Sequence, residues 1–203
     1  MKFKGMPELF TSLYQQFLTT TPLEWLATLS GFLCVLLAAR QHILNWPISI
    51  ISVSIYAYIF FQNKLYGDTV LQFYFLLTAV YGWYYWSTSD TQDNRPITGF
   101  TTRQMLATVS LTLLLAAILG GLLRFFTDTD VPFADGFCTA VSFVAQFLMT
   151  RKVLQNWLMW VLVDLLYIPL YIHKDLLLTA VLYIAFAIIA WKGYRAWQLA
   201  YQK

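Results

Sequence analysis

The stretch from Asn156 to Tyr171 reads NWLMWVLVDLLYIPLY, an apolar run with a few polar and aromatic residues at regular intervals. Those residues recur every three or four positions, and this spacing places them on one face of a helix. The run also holds Asp164, the only acid deep inside an apolar stretch. An ionisable group at membrane depth is costly and is expected to face a bundle interior or a wet cavity. We therefore predict that Asp164 lies near a bound or translocated ligand. The alternative is a buried acid satisfied by neighbouring hydroxyl or backbone groups.

Composition places the chain in the membrane. Of 203 residues, 59% are hydrophobic, 18% aromatic and 11% charged, whereas soluble domains have about 25% charged residues. The net charge of +3 is too small and scattered to indicate nucleic-acid binding. Cys34 and Cys138 lie in apolar runs, which indicates packing residues rather than a metal site or a disulfide framework. We expect no cofactor, no metal and no catalytic residue.

Seven apolar runs have about the length that a helix needs to cross the hydrocarbon core. The sequence thus predicts an all-α polytopic membrane protein. Residues 1–22 precede the runs and carry apolar side chains at helical spacing, which predicts an interfacial helix on the bilayer. A cleaved signal peptide is the alternative for this end of the chain. The predicted spans are 23–39, 45–62, 68–86, 103–124, 133–150, 156–173 and 177–197.

The two ends of this series repeat one another. Adding 111 to each position from Arg40 to Trp86 gives the positions from Arg151 to Trp197 without a gap, and eleven of the 47 pairs are identical. The apolar matches alone carry little weight in so biased a composition. The polar and aromatic matches at one fixed offset indicate a true repeat of three spans. They are Arg40/Arg151, Asn45/Asn156, Trp46/Trp157, Tyr56/Tyr167, Gly82/Gly193 and Trp86/Trp197.

The unpaired span 103–124 lets both three-span repeats run in the same direction, which gives a 3+1+3 arrangement. Transporters built from parallel repeats bind substrate near the bilayer midplane, between the repeats. We divide the chain into an interfacial helix (1–22), a first repeat (23–86), a cytoplasmic loop with the linker span (87–132), a second repeat (133–197) and a cytoplasmic tail (198–203). Basic residues number eight on the face holding the carboxyl terminus and five on the other. The positive-inside rule then places the carboxyl terminus in the cytoplasm and the amino terminus outside.

Both repeats carry a recognisable pattern. The first reads Asn45-Trp46-Pro47 through Tyr56, then Lys64-Leu65-Tyr66-Gly67-Asp68, Gln72 and Tyr81-Gly82-Trp83-Tyr84-Tyr85-Trp86. The second reads Gln155-Asn156-Trp157-Leu158-Met159-Trp160 through Asp164 and Tyr167 to Tyr183 and Gly193-Tyr194-Arg195-Ala196-Trp197. This pattern resembles PnuC-type nicotinamide riboside transporters over residues 23–197.

The resemblance implies a multi-pass carrier of the bacterial inner membrane with the SWEET-like 3+1+3 fold. It implies facilitated diffusion of nicotinamide riboside (vitamin B3), a precursor in NAD biosynthesis, with uptake made effective by a cytoplasmic riboside kinase. Relatives on the same scaffold carry other vitamins such as thiamine, so thiamine or another vitamin or sugar remains the alternative substrate. Whether the chain forms a homo-oligomer stays open.

A flat, cationic pyridinium on a ribose needs aromatic faces for cation–π attraction and polar groups for the sugar hydroxyls. The aromatic and amide candidates are Trp157, Trp160, Tyr167 and Tyr183 with Trp46, Tyr56 and Gln72. The candidates for binding hydroxyls or favouring the positive charge are Asp164, Asn156 and Asn45. Tryptophans near span ends are commonly membrane-interface residues, and we assign Trp25, Trp83, Trp86, Trp191 and Trp197 to that belt. For Trp46 and Trp157 the belt and the site are equally good interpretations.

Two other classes of protein compete with a carrier. An intramembrane enzyme using Asp164 as acid or base would need a second catalytic group at comparable depth, and the sequence offers no obvious one. A non-transporting receptor or assembly subunit would have no need for repeats with polar, aromatic inward faces. We therefore expect a transporter and not an enzyme.

Overall fold

The computed structural model describes residues 6–62, 66–88, 95–173 and 176–202, with side chains from residue 11 onward except at 66–68. Within these ranges the secondary structure is helical, with one isolated β-bridge between Thr98 and Val153. The predicted all-α class is confirmed for this part of the chain. The start of the predicted interfacial helix, residues 89–94 of the predicted loop and the last residue lie outside it. The helices are α1 (Met6–Thr19), α2 (Pro22–Ala39), α3 (Asn45–Gln62), α4 (Tyr66–Ser87), α5 (Thr102–Phe126), α6 (Pro132–Thr150), α7 (Asn156–His173) and α8 (Leu177–Tyr201).

Five helices are long and apolar enough to cross a membrane, namely α2, α5, α6, α7 and α8. The other two predicted spans, 45–62 and 68–86, correspond to α3 and α4. α3 has three serines and α4 is rich in tyrosine and tryptophan, residues that lower the mean hydropathy of a span.

Local sequence explains where several helices begin. Thr21 starts α2 with a capping box, because its hydroxyl accepts from the Glu24 amide and the Glu24 side chain accepts from the Thr21 amide. Thr101 and Gln104 form the same box at the start of α5. Such boxes satisfy backbone N–H groups that a helix end leaves without partners.

The turns that precede α3 and α7 have the same conformation. Arg40 and its repeat equivalent Arg151 both have φ of −89°. The next residues, Gln41 and Lys152, have φ of 55° and 54°, in the left-handed region that side chains rarely adopt. The matching geometry extends to Asn45 and Asn156, whose Nδ2 groups donate to the carbonyls of residues 42 and 153 at 2.8 Å and 2.6 Å.

Four tryptophans form the centre of the core, where the carboxyl ends of α2, α4, α6 and α8 meet. Trp46 packs against Gly82 and Trp157 against Gly193, and a Cβ on either glycine would approach the indole ring closer than 3.0 Å. Two further indoles join the helices of opposite repeats, since the Trp86 Nε1 donates to the Thr150 carbonyl at 3.0 Å and the Trp197 Nε1 donates to the Ala38 carbonyl at 3.1 Å. We call Trp46, Trp86, Trp157 and Trp197 the tryptophan core.

The assignment of Trp86 and Trp197 to a membrane-interface belt is wrong. Their exposed fractions are 5% and 0%. Both indoles find a carbonyl acceptor at a helix end, where backbone C=O groups lack helical partners, and this bond lets the ring be buried at low cost. Trp83 and Trp191 are exposed, as belt residues are.

Helix contacts follow the chain within each repeat and cross between repeats at two places. α2 contacts α3, α3 contacts α4, α6 contacts α7, and α7 contacts α8. The crossing contacts are α2 with α8 and α4 with α6. The linker helix α5 packs on α6, with the Gly120 and Gly136 backbones close together. α1 contacts α8, where the Gln16 side chain accepts a hydrogen bond from the Leu178 amide at 3.0 Å.

Candidate functional site

Asp164 lies on α7 with 4% of its surface exposed. No basic side chain of the described residues forms an ion pair with it. A buried carboxylate without a counter-ion is costly, and the structure therefore leaves a site at which a cationic partner would be stabilised. Burial is what both sequence interpretations of Asp164 require, and its role beside a ligand stays a prediction.

Three tyrosine rings pack together beside Asp164. The ring centroids are 5.4 Å apart for Tyr167 and Tyr171, 4.9 Å for Tyr167 and Tyr183, and 5.0 Å for Tyr171 and Tyr183. Tyr183 of α8 is close enough to Asp164 for the two side chains to interact electrostatically. The acid and the π faces are thus supplied by α7 and α8 together.

The ring cluster continues across the boundary between repeats. Tyr183 meets Phe186 edge to face at 5.9 Å, and Phe186 stacks on Phe32 of α2 at 4.4 Å. We call Tyr167, Tyr171, Tyr183, Phe186 and Phe32 the aromatic cluster. Because Phe32 comes from the first repeat, a change in the contact between α2 and α8 would alter this cluster.

The equivalent region of the first repeat is built differently. The Tyr56 hydroxyl lies 2.8 Å from the Thr28 hydroxyl of α2, much as Tyr167 lies beside Thr139 of α6. On the α4–α6 contact, the Tyr74 hydroxyl donates to the Phe143 carbonyl at 2.7 Å and the two rings are 4.4 Å apart. Phe143 is the repeat equivalent of Phe32. Each of the two contacts between repeats therefore has an aromatic pair that includes this position, Phe32–Phe186 between α2 and α8 and Tyr74–Phe143 between α4 and α6.

The predicted site residues fall into three groups. Asp164, Tyr167 and Tyr183 come together, and Trp160 packs both against the tryptophan core and against the buried cluster that Tyr167 also contacts. Four others lie in or beside the tryptophan core, and two stay in the first repeat, where Tyr56 bonds Thr28 and Gln72 is half-buried. The four in the core are Asn45, Trp46, Asn156 and Trp157.

The core group has unused hydrogen-bonding capacity. The indole Nε1 atoms of Trp46 and Trp157 and the Oδ1 atom of Asn156 are buried without a partner. The Nδ2 groups of both asparagines are occupied in closing their own turns. The asparagines thus have a structural function in addition to any contact with a ligand.

Sequence reasoning missed Tyr171, Phe32 and Phe186 as members of the cluster. Tyr171 was on the predicted helix face, and both phenylalanines occupy repeated positions, Phe32/Phe143 and Phe75/Phe186. Apolar matches of that kind are frequent by chance in a chain so rich in phenylalanine, and the signal was too weak to single them out.

Other features of the described residues lie away from this region. Among the described residues, no group of three or more His, Cys, Asp or Glu side chains is placed to hold a metal ion. A groove of about 380 Å³ runs along the outer flank of α3 and α4. Its lining contains none of the predicted site residues and consists of Ser54, Ala57, Tyr58, Phe61, Thr69, Phe73 and Leu76.

Comparison with known families identifies the chain. A sequence profile described as "Nicotinamide mononucleotide transporter" matches residues 21–199, which include nearly all of α2–α8. The chain belongs to this transporter family. The resemblance inferred from the repeated Asn-Trp and Gly…Trp positions is thereby confirmed.

Three relatives that are named as transporters align with most of this chain. The nicotinamide riboside transporter PnuC of Escherichia coli K12 is 28% identical over 202 residues, covering 86% of this chain and 84% of its own. The protein of the same name from Neisseria mucosa is 30% identical over 161 residues, covering 74% of this chain and 60% of its own. The riboflavin/roseoflavin transporter RibM of Streptomyces davaonensis is 23% identical over 182 residues, covering 87% of this chain and 84% of its own.

A solved structure supports the fold. The crystal structure of the vitamin B3 transporter PnuC superimposes with a TM-score of 0.72 at 27% identity, over 96% of this chain and 90% of that one. These relatives are membrane transporters and not enzymes, which confirms the prediction that this family member is no enzyme. Family and apolar helices together establish a multi-pass protein of the bacterial inner membrane.

Proposed function

We propose that this transporter carries nicotinamide riboside across the membrane by facilitated diffusion. The observation that carries the proposal is Asp164, buried next to three tyrosine rings and without a basic partner among the described residues. A cationic, flat ring is the ligand chemistry that such a site favours, because it supplies the missing positive charge and stacks on the rings. The names of the E. coli and Neisseria relatives support the same substrate.

The energetics suit a cationic ring better than a neutral one. A desolvated cation over an aromatic face gains about 2 kcal/mol or more, and each close opposite charge at low dielectric adds to that. A neutral ring of the same shape would keep the stacking and lose the charge pairing. The site should therefore prefer nicotinamide riboside over uncharged analogues.

The remaining predicted residues would complete the site from both repeats. Trp160 precedes Asp164 by four residues on α7 and packs against the tryptophan core, so it would contact the pyridinium or the ribose. The free Oδ1 atom of Asn156 and the two free indole N–H groups are available to sugar hydroxyls once the bundle opens. Together with Asn45, Trp46, Tyr56, Gln72 and Trp157, these residues would surround the ligand from both sides.

The proposed architecture is seven spanning helices in a 3+1+3 arrangement with parallel repeats. The equal bounds of α3 and α7 at the 111-residue offset support it, as do the two identical turns before them. The count of basic residues supports a cytoplasmic carboxyl terminus and an outer amino terminus. In this arrangement the repeats are related by an axis along the membrane normal, and the ligand moves between them near that axis.

The proposed mechanism is uniport by rocking of the two repeats. The α2–α8 and α4–α6 contacts are the surfaces at which the repeats would move. Since Asp164 is the only acid deep inside an apolar run, the chain offers no series of buried acids for a proton relay. A uniporter only equilibrates its substrate, so net uptake requires a cytoplasmic kinase to convert the riboside into a phosphorylated product.

Another flat vitamin is the second candidate substrate. The likeness to RibM, a relative named for riboflavin and roseoflavin, supports this alternative. Thiamine, which carries a positive ring, would also suit Asp164. These candidates change the ligand and keep the fold and the site.

Calorimetric titration of the purified protein tests the substrate and the site together. Nicotinamide riboside, its mononucleotide, thiamine and riboflavin are titrated into wild type, Asp164→Asn and the matched control Asp135→Asn, an acid that bonds Thr129 at the start of α6. We expect binding of the riboside, at least about tenfold weaker in Asp164→Asn and unchanged in the control. Tighter binding of thiamine or riboflavin would refute the substrate, and equal binding by Asp164→Asn would refute the site.

A further inference from the structure

A buried lysine lies at the end of the bundle that contains the tryptophan core. Lys152, in the turn before α7, has an exposed fraction of 1%. Its Nζ donates to the Gln41 Oε1 at 3.2 Å and to the Arg95 carbonyl at 3.1 Å, and it lies 4.5 Å above the Trp86 ring. These contacts join the turn before α3, the turn before α7 and the loop that follows α4.

Lys152 and Gln41 are equivalent positions of the two repeats. They are 111 residues apart, and both have the same left-handed φ. Two residues that a twofold axis exchanges can touch only where that axis passes between them. Trp86 and Trp197 form a second equivalent pair in contact, with ring centroids 6.1 Å apart. Both pairs therefore lie on the axis that relates the repeats. At this end of the bundle they block passage along that axis.

The charged side chains that the structure describes around Lys152 are both cationic. The Arg95 guanidinium lies 4.0 Å from the Tyr85 ring, and that of Arg151 lies 4.7 Å from the same ring and donates to the Tyr81 hydroxyl at 2.5 Å. No carboxylate of the described residues forms an ion pair with any of these three cations. The described contacts of the Lys152 ammonium are thus two neutral oxygens and a π face.

We propose that Lys152 and Gln41 form the inner gate of the transporter, and that the return of water to the buried charge of Lys152 is what allows this gate to open. The inference rests on the proposed passage of substrate along the axis between the repeats. A substrate that follows this axis meets the Lys152–Gln41 pair and the Trp86–Trp197 pair before it leaves. These contacts must therefore separate once in each cycle.

The physical reason lies in the hydration of the ammonium. In the closed state Lys152 gains two hydrogen bonds and a cation–π contact and loses its water shell. When the repeats part, water returns to the charge and offsets the lost contacts. A neutral residue at this position, whether apolar or an amide, regains much less hydration than an ammonium does when the gate opens, and replacing a buried charge by an apolar group of similar volume is often neutral or stabilising. Removal of the charge should therefore hold the gate shut.

The chain offers an internal control for this idea. Because positions 41 and 152 have equivalent backbones on one axis, the exchange Gln41→Lys with Lys152→Gln keeps one lysine and one glutamine at the gate. In the exchanged protein, a lysine at position 41 does not make the contacts that Lys152 makes with the Arg95 carbonyl and the Trp86 ring. A role of the charge at the axis should survive the exchange, whereas a role in holding the Arg95 loop should not.

Labelling of a buried cysteine tests the gate without relying on the substrate. Thr150, fully buried on α6 where its carbonyl accepts from Trp86, is changed to cysteine after both native cysteines are replaced by serine. The rate of maleimide labelling of this cysteine in membranes is measured in four proteins: the parent with Lys152, Lys152→Met, Lys152→Gln and the exchanged pair. We expect labelling at least about tenfold slower in both single variants, and restored in the exchanged pair. The comparison of Lys152→Gln with the exchanged pair stands even where Lys152→Met fails to fold.

The gate proposal is refuted if Lys152→Gln is labelled as fast as the protein that keeps Lys152, or faster, or if the exchanged pair does not recover the faster labelling. The same variants are titrated with nicotinamide riboside by calorimetry and assayed for exchange in proteoliposomes. The gate predicts slower exchange with the affinity kept within about twofold. Failure of the proposed substrate has a different signature, since the wild type would then not bind nicotinamide riboside while the labelling pattern of the variants held.

Discussion

Gly82 and Gly193 test the tryptophan core, because a single methyl group at either position has a defined consequence. A Cβ at Gly82 would lie within 3.0 Å of three ring atoms of Trp46, and a Cβ at Gly193 would lie 2.8 Å from three ring atoms of Trp157. Neither indole has room to move away, since both are almost fully buried and meet Trp86 or Trp197 edge to face. The methyl group therefore forces the helices apart.

The magnitude follows from two opposing effects. Overpacking of a well-packed core costs about 1–3 kcal/mol, and replacing a helical glycine by alanine returns up to about 1 kcal/mol. A net loss of about 1–2 kcal/mol corresponds to a fall of roughly 2–8 °C in the unfolding midpoint for a chain of this size. Since the two sites are repeat equivalents, Gly82→Ala and Gly193→Ala should lose similar amounts.

Thermal unfolding of the detergent-purified protein, followed by intrinsic tryptophan fluorescence, measures the effect. The matched control is Gly121→Ala in α5, where a Cβ would have no atom within 4 Å, and its midpoint should equal or exceed that of the wild type. Midpoints of Gly82→Ala and Gly193→Ala that match the wild type would refute the close packing of the tryptophan core.

Three further predictions concern the site, the gate and the boundary between repeats. Asp164→Asn should slow nicotinamide riboside exchange in proteoliposomes at least about tenfold through weaker binding, and exchange at the wild-type rate would contradict its role. Burial lowers the pKa of Lys152 to about 8, against 10.5 in water. Above pH 8 the Lys152 amine therefore holds fewer protons in the closed gate, where it is buried, than in the open gate, where it is hydrated. Rising pH thus stabilises the closed gate. Exchange should therefore be fastest below pH 8 and slow towards pH 10 in wild type, while Lys152→Gln should lack this dependence. Tyr74→Phe removes the hydrogen bond to the Phe143 carbonyl across α4 and α6 and should cost about 1 kcal/mol of stability, seen as a lower unfolding midpoint; an unchanged midpoint would show that this bond adds nothing to the α4–α6 contact.

Helix positions were largely predictable from sequence. The predicted spans 45–62 and 156–173 coincide with α3 and α7 residue for residue, and the other spans differ by up to a few residues at their ends. Membrane spans are set by the length of an apolar run and by the polar residues that end it, and both properties are local. The repeat offset likewise anticipated the two turns at Arg40 and Arg151, because equal sequence at equal spacing gives equal backbone geometry.

The burial of particular side chains was not predictable in the same way. Trp86 and Trp197 stand near helix ends, where tryptophans occur both at the membrane interface and in the core. The hydrogen bond to a carbonyl of a distant helix decides between these positions. Lys152 has the sequence position of an ordinary basic residue at a span end. Its burial results from the meeting of two turns far apart in the chain. The aromatic cluster likewise depends on the α2–α8 contact that brings Phe32 to Phe186.

Counterflow in proteoliposomes tests the central claim of a nicotinamide riboside uniporter most directly. Vesicles loaded with unlabelled riboside are diluted into a trace of labelled riboside, with the membrane potential clamped at zero. The account predicts a transient accumulation of label that decays to equilibrium, and that no imposed proton or sodium gradient sustains. An absence of counterflow from protein that binds the riboside, or lasting accumulation of unmodified riboside under an ion gradient, would contradict it.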